Sequence, residues 1–126
     1  DTNYFVTSLT VNGNAGNDSL SLKGSILLQS ATLVGGDGND NSEVASINSR
    51  GLMISHGAGQ DSAAVRASLL QNLFADLGHG DDIFVLQSNQ IFGSAEADGG
   101  LGLNDQLVDQ GNLMRPARKR RFESFG

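Results

Sequence analysis

The sequence predicts an all-β protein, a right-handed parallel β-helix (β-solenoid) of about five coils of ~21 residues. Three observations predict it. The phrase Gly-x-Gly-x-Asp recurs along the 126-residue chain, ending at Asp18, Asp40, Asp61, Asp82 and Asp105, in steps of 22, 21, 21 and 23 residues. Short alternating apolar segments flank each recurrence in a common register. Glycine occurs 17 times and proline once, with 6 % aromatic residues, a composition suited to short strands and tight turns rather than long helices.

Nine and seven residues before each Asp stand Leu9 and Val11, Ala31 and Leu33, Leu52 and Ile54, and Leu73 and Ala75. Ala95 and Ala97 follow once one extra residue is allowed in the fifth turn. Such alternation marks a half-buried strand. Two and four residues after each Asp come Leu20 and Leu22, Ser42 and Val44, Ala63 and Val65, and Phe84 and Leu86. Leu107 and Asp109 come last, where the pattern fades. A third apolar pair lies further upstream in each repeat: Phe5-Val6, Leu27-Leu28, Asn48-Ser49, Leu69-Leu70, Ile91-Phe92 and, after the last Asp, Leu113-Met114. Three segments per lap predict a coil with three sides, whose equivalent positions stack about 4.8 Å apart in parallel sheets. Right-handed winding follows from the general rule for parallel crossovers.

Residues 62–77 read alone would make a helix, but their register with the other repeats argues for strands. In the second repeat Asn48-Ser49 and Ser42 replace apolar residues. Local drift predicts that Ile47 turns inward as a substitute. The other reading is an inward Asn ladder, or a bulge presenting Glu43 and Arg50.

The expected organisation is a β-helix over residues 1–114 and a basic tail or cap over 115–126. Phe5-Val6 already fit the third strand of a preceding coil, so more coils or a cap are expected upstream. The start at Asp1 rather than Met suggests a fragment or processed product. Pro116 removes a ladder donor and predicts that the solenoid stops near Met114. Phe122 and Phe125 are expected to fold over the last coil. A solvated terminus, a sorting signal and binding to an acidic surface are the alternatives.

Residues 1–114 carry a net charge of −10 and the tail one of +4. The acidic body disfavours nucleic acid and favours cations. Absence of cysteine excludes disulfides and thiolate metal sites. No apolar run is long enough for a membrane span, and no signal peptide is visible.

Each glycine of the phrase is expected to supply a positive φ or a close approach between laps. The Asp has two readings. In the structural one it accepts hydrogen bonds from its own turn, partly solvated, while the Asn, Gln or Asp before it forms a polar ladder. In the other, Asp18, Asp40, Asp61, Asp82 and Asp105 hold calcium between adjacent turns, with Asp37, Asp76, Asp81 and Asp98 nearby. Gly35-Gly36-Asp37-Gly38-Asn39-Asp40 resembles the first part of the haemolysin-type (RTX) calcium repeat, although that repeat has a period of nine. The longer period resembles secreted and cell-surface β-helix repeat proteins of planctomycete-type bacteria, with Gly-x-Gly-Asn-Asp turns. The resemblance implies an extracellular or cell-surface bacterial protein. It is expected to be structural or adhesive, with cell-surface polysaccharide or protein as partner, calcium as candidate cofactor and no catalytic residues.

His56 and His79 share no register with a third ligand and are expected at the surface. The alternative function is a fragment of a polysaccharide-acting, pectate-lyase-like β-helix enzyme. Such a site needs convergent acids or bases, usually in a lateral groove with aromatic sugar platforms. The body offers only Lys23, Arg50 and Arg66 as bases, and Phe74 as an outward aromatic.

Overall fold

The computed structural model describes residues 5–24, 27–114, 118–122 and 124–125. The expectations for Asp1, Arg115 and Pro116, and for the side chains of Phe5, Val6, Leu27, Leu28, Met114 and Phe125, lie outside the described residues.

Each full lap contributes one long and one short strand. The long strands are β1 (Phe5–Asn12), β3 (Leu27–Val34), β5 (Asn48–Ser55) and β7 (Leu69–Asp76). The short ones are β2 (Ser19–Lys23), β4 (Asn41–Ala45), β6 (Ser62–Arg66) and β8 (Ile83–Gln87). The fifth lap supplies β9 (Gln90–Ile91), β10 (Ala95–Asp98) and β11 (Gln106–Gln110). β12 (Leu113–Met114), β13 (Arg118–Arg120) and β14 (Ser124–Phe125) follow.

Among the described residues these strands stack into two parallel sheets rather than three. One runs β1-β3-β5-β7-β10-β13, with β9 and β12 beside it, and the other β2-β4-β6-β8-β11-β14. Among the described residues the upstream pair makes no third side, because it continues directly into the long strand. In the fifth lap that strand is broken, between Ile91 and Ala95. There Ile91 pairs with Leu70 and Ala95 with Leu73, so one residue is added in this break as well as in the turn. The addition turns Phe92 outward, 63 % exposed, while Ile91 is buried.

The inward columns follow the expected register. Ala31, Leu52, Leu73 and Ala95 stack, as do Leu33, Ile54, Ala75 and Ala97. Across the lumen lie Leu20, Ser42, Ala63, Phe84 and Leu107, and Leu22, Val44, Val65 and Leu86. All are buried. A single lap would leave one side of this apolar row open, so burial depends on stacking. Residues 62–77 form β6 and β7, not a helix.

Short strands return to long strands through a sharp corner whose first residue has positive φ: Ser46 (58°), Ala67 (50°), Ser88 (57°) and Gly111 (65°). Non-glycine residues there carry roughly 1–2 kcal/mol of strain each. The corner turns the next residue inward, and Ile47, Ser68 and Asn89 are buried. Ile47 thus fills the core as expected, beside an inward Ser49.

Beyond Met114 the chain continues both sheets. β13 pairs with β10 and β14 with β11. The inward columns change character here: Lys119 follows Ala97, and Asp109 follows Leu86. The two form an ion pair with each other at the end of the stack. Phe122 joins the core cluster at 8 % exposure. Replacing Phe122 by Ala is expected to lower unfolding free energy by about 3 kcal/mol in urea titrations. The same change at exposed Phe92 should cost under about 1 kcal/mol.

Candidate functional site

The Gly-x-Gly-x-Asp turns join each long strand to the following short strand and stack one upon another. At Gly80 φ is +123°, and a Cβ there would collide with the Gly59 carbonyl oxygen of the lap before. Both demands expected of the glycines therefore act at one position. In the first turn Asn14 takes the place of the leading glycine with φ 71°, the side chain best suited after glycine to that region.

The Asp side chains point into the tube. Asp40, Asp61, Asp82 and Asp105 are 0–3 % exposed. This corrects the expectation of a partly solvated column bonded within its own turn. Each carboxylate instead accepts the amide N–H of the Asp one lap earlier. Asp18 N–H donates to Asp40 Oδ1 (2.9 Å), Asp40 to Asp61 (2.8 Å), Asp61 to Asp82 (2.8 Å) and Asp82 to Asp105 (2.9 Å). The Oδ2 atoms of Asp18, Asp40, Asp61 and Asp82 are buried without a hydrogen-bond partner. At Asp18 and Asp40 that oxygen faces a glycine, since a Cβ on Gly13 or Gly35 would lie 2.5 Å from it. At the equivalent ladder position the third and fourth laps place His56 and Leu77.

A second buried ladder occupies the opposite corner with neutral groups. Ile47 N–H donates to Ser68 Oγ, Ser68 N–H to Asn89 Oδ1 and Asn89 N–H to Asn112 Oδ1. Here the remaining amide groups are satisfied, Asn89 Nδ2 donating to the Val65 carbonyl and Asn112 Nδ2 to that of Leu86. The polar ladder expected beside the Asp column is present on the exposed side of the turns. Asn39 N–H donates to Asn17 Oδ1 and Gln60 N–H to Asn39 Oδ1.

Burial is the main cause raising the pKa of two rungs of the column, Asp61 and Asp82. Asp61 is pushed up to about 6, its Asp40 N–H opposing the shift and the Asp40 charge adding to it. Asp82 is pushed up to about 7 by burial, against the N–H of Asp61. The charges of Asp61, Asp105 and Asp81 add to the rise. Exposed Asp81 moves the other way, lowered by the Leu103 N–H and the Asn104 side chain. Stacked unit charges at coil spacing repel by roughly 3 kcal/mol per neighbour pair at an effective dielectric near 20.

Calcium takes six to eight oxygens, and the Asp column does not fit that shell. At Asp40, Asp61 and Asp82 one oxygen is committed to an amide, and the other is buried inside the tube. Among the described residues no three His, Cys, Asp or Glu side chains converge to hold a metal ion.

His79 is exposed, as expected, and its turn backbone pairs with Ala58 and Leu101. His56 is not at the surface. It is 6 % exposed, with Nε2 2.7 Å from Ser42 Oγ and Nδ1 3.9 Å from Asp61 Oδ2. Burial lowers its pKa, partly offset by the Asp40 charge. Ser42, His56 and Asp61 thus line up in the order of a hydrolytic relay. The second contact is too long for a hydrogen bond, and Ser42 is fully buried, so no substrate reaches its hydroxyl. The arrangement explains the weak second repeat: the inward serine is the partner of an inward histidine one lap on. Pairing the polar residue of one repeat with the irregular residue of the next was the signal that would have found it.

Two shallow hollows mark the surface. One, of about 360 Å³, lies on the outer face of the long-strand sheet over Gly51, beside Ser30, Met53, Asn72, Phe74 and Glu96. Phe74 faces outward there, as expected, at 38 % exposure. The other, of about 320 Å³, lies beside the turns between Asp76, His79 and Arg121. Arg121 grips Asp98 through two nitrogens, with Nε–Oδ1 2.7 Å, and that pairing raises the Arg121 pKa.

No family model matches the chain, and neither curated proteins nor solved structures give a match. The stacked parallel laps define a β-solenoid, consistent with a β-helix repeat protein.

Ser42→Ala is expected to destabilise by about 1–3 kcal/mol, because His56 Nε2 is left unpaired. In a His56→Leu background the same change should be nearly neutral. Urea unfolding of the four proteins of this double-mutant cycle checks it.

Proposed function

We propose that this chain is a non-catalytic, structural and adhesive repeat domain of an extracellular or cell-surface bacterial protein. The observation that carries the reading is the use made of the Asp residues. The most regular polar side chains in the sequence are spent on lap-to-lap hydrogen bonds inside the tube. Side chains built for chemistry would converge on an accessible cleft. The similarity of the turns to secreted and cell-surface repeat proteins supports the location. On this reading the solenoid is a rigid spacer whose outer sheet faces are its contact surfaces.

The adhesive part rests on the hollow over Gly51. Its lining combines hydroxyl and amide groups with an aromatic and a thioether, and its one charged residue is acidic. That chemistry suits a neutral polysaccharide strand and disfavours an acidic one. The polysaccharide-lyase alternative would require a lysine or arginine there, and the lining contains neither.

Incubation with acidic polysaccharides is expected to release no new reducing ends and no unsaturated products. Turnover would sink the non-catalytic reading. Retention on immobilised neutral polysaccharides should fall roughly two- to tenfold in Phe74→Ala. Equal retention of variant and parent would remove the hollow from the account. Antibody labelling of intact cells carrying the full-length protein tests the surface location.

A further inference from the structure

We infer that the middle of the Asp column is neutralised by bound protons rather than by a metal ion, one held by the Asp61–His56 pair and one by Asp82. The buried oxygens Asp61 Oδ2 and Asp82 Oδ2 have no hydrogen-bond partner. Among the described residues no Lys or Arg acts on Asp61 or Asp82, and repulsion between rungs favours losing charge over keeping it. A second observation points the same way. His56 is buried, and its Nδ1 also lacks a partner while standing 3.9 Å from Asp61 Oδ2. One proton between these two atoms satisfies both, with a small closing movement, and the pair titrates as a unit.

The opposite corner shows the neutral form of the same device. The ladder through Ser68, Asn89 and Asn112 makes the same amide-to-side-chain bonds without charge. A protonated Asp is the nearest acidic equivalent of those Asn side chains.

The groups facing the two rungs are few. Asp61 meets Asp40, Asp82 and His56, His56 also meets Asp40 and Ser42, and Asp82 meets Asp61, Asp105 and Asp81. Acids whose folded pKa is raised stabilise the fold most at low pH. That stability drains away as pH climbs from the unfolded carboxylate value through the folded values of about 6 and about 7. His56, lowered by burial, acts oppositely as pH falls below its unfolded value. The Asp82 comparison below cancels that contribution.

The test follows the side-chain carboxyl carbons of isotope-labelled full chain by NMR. Asp61 and Asp82 are expected to titrate near neutrality. Titration of both in the ordinary carboxylate range would overturn the inference, and this measurement needs no variant. In parallel, unfolding is measured for the parent and Asp82→Asn. The variant is expected to gain on the parent by roughly tenfold in the folding constant for each pH unit between about 5 and 7. A ratio that does not change with pH counts against the proposal. So does millimolar calcium raising the parent's melting temperature while leaving Asp82→Asn unmoved.

Discussion

An amide N–H turned into an apolar tube must find an acceptor, and at the two buried corners of this molecule the acceptor is a side chain on the next lap. The Asp column serves one corner, and the Ser68–Asn89–Asn112 column the other. The remaining architecture accommodates this exchange. The laps must lie in register for the acceptor to arrive, which holds the apolar columns in line. The turns must approach closely, which is why glycine recurs where the carbonyl of the preceding lap intrudes.

The two corners solve one geometric problem with different chemistry. An amide side chain offers an acceptor and a donor, and the Asn residues use both. A carboxylate offers two acceptors, and only one is used at each of Asp40, Asp61 and Asp82. The acidic corner therefore carries a charge problem that the amide corner lacks. The composition of the sequence, acidic over its body, says nothing of how much of that acid is inside.

Most of the fold was legible because its period is short and most of its apolar positions recur in register. Leu33, Ile54 and Ala75 could be placed over one another from spacing alone, and Ala97 once the insertion in the fifth turn was allowed for. The number of sides was not legible. An apolar pair such as Leu69-Leu70 looks alike whether it begins a strand or forms its own face. The sharp corner was hidden because Ser46, Ala67 and Ser88 adopt a backbone region usually announced by glycine. The Asp column was found, but its inward direction was not, since aspartate is rarely buried unless something holds it. His56 was misplaced for a related reason. Its partner, Ser42, belongs to the previous repeat, and reading repeats singly conceals a match that spans two.

At each buried corner the backbone N–H lies on the earlier lap and the side-chain oxygen that accepts it on the later one. A chain emerging from the ribosome amino end first therefore presents each lap before the group that completes it has been made. Asp18 waits for Asp40, and Asp40 for Asp61. Consolidation must trail translation by at least one repeat, and the nascent solenoid carries an unfinished, water-facing rim that moves along with the growing end.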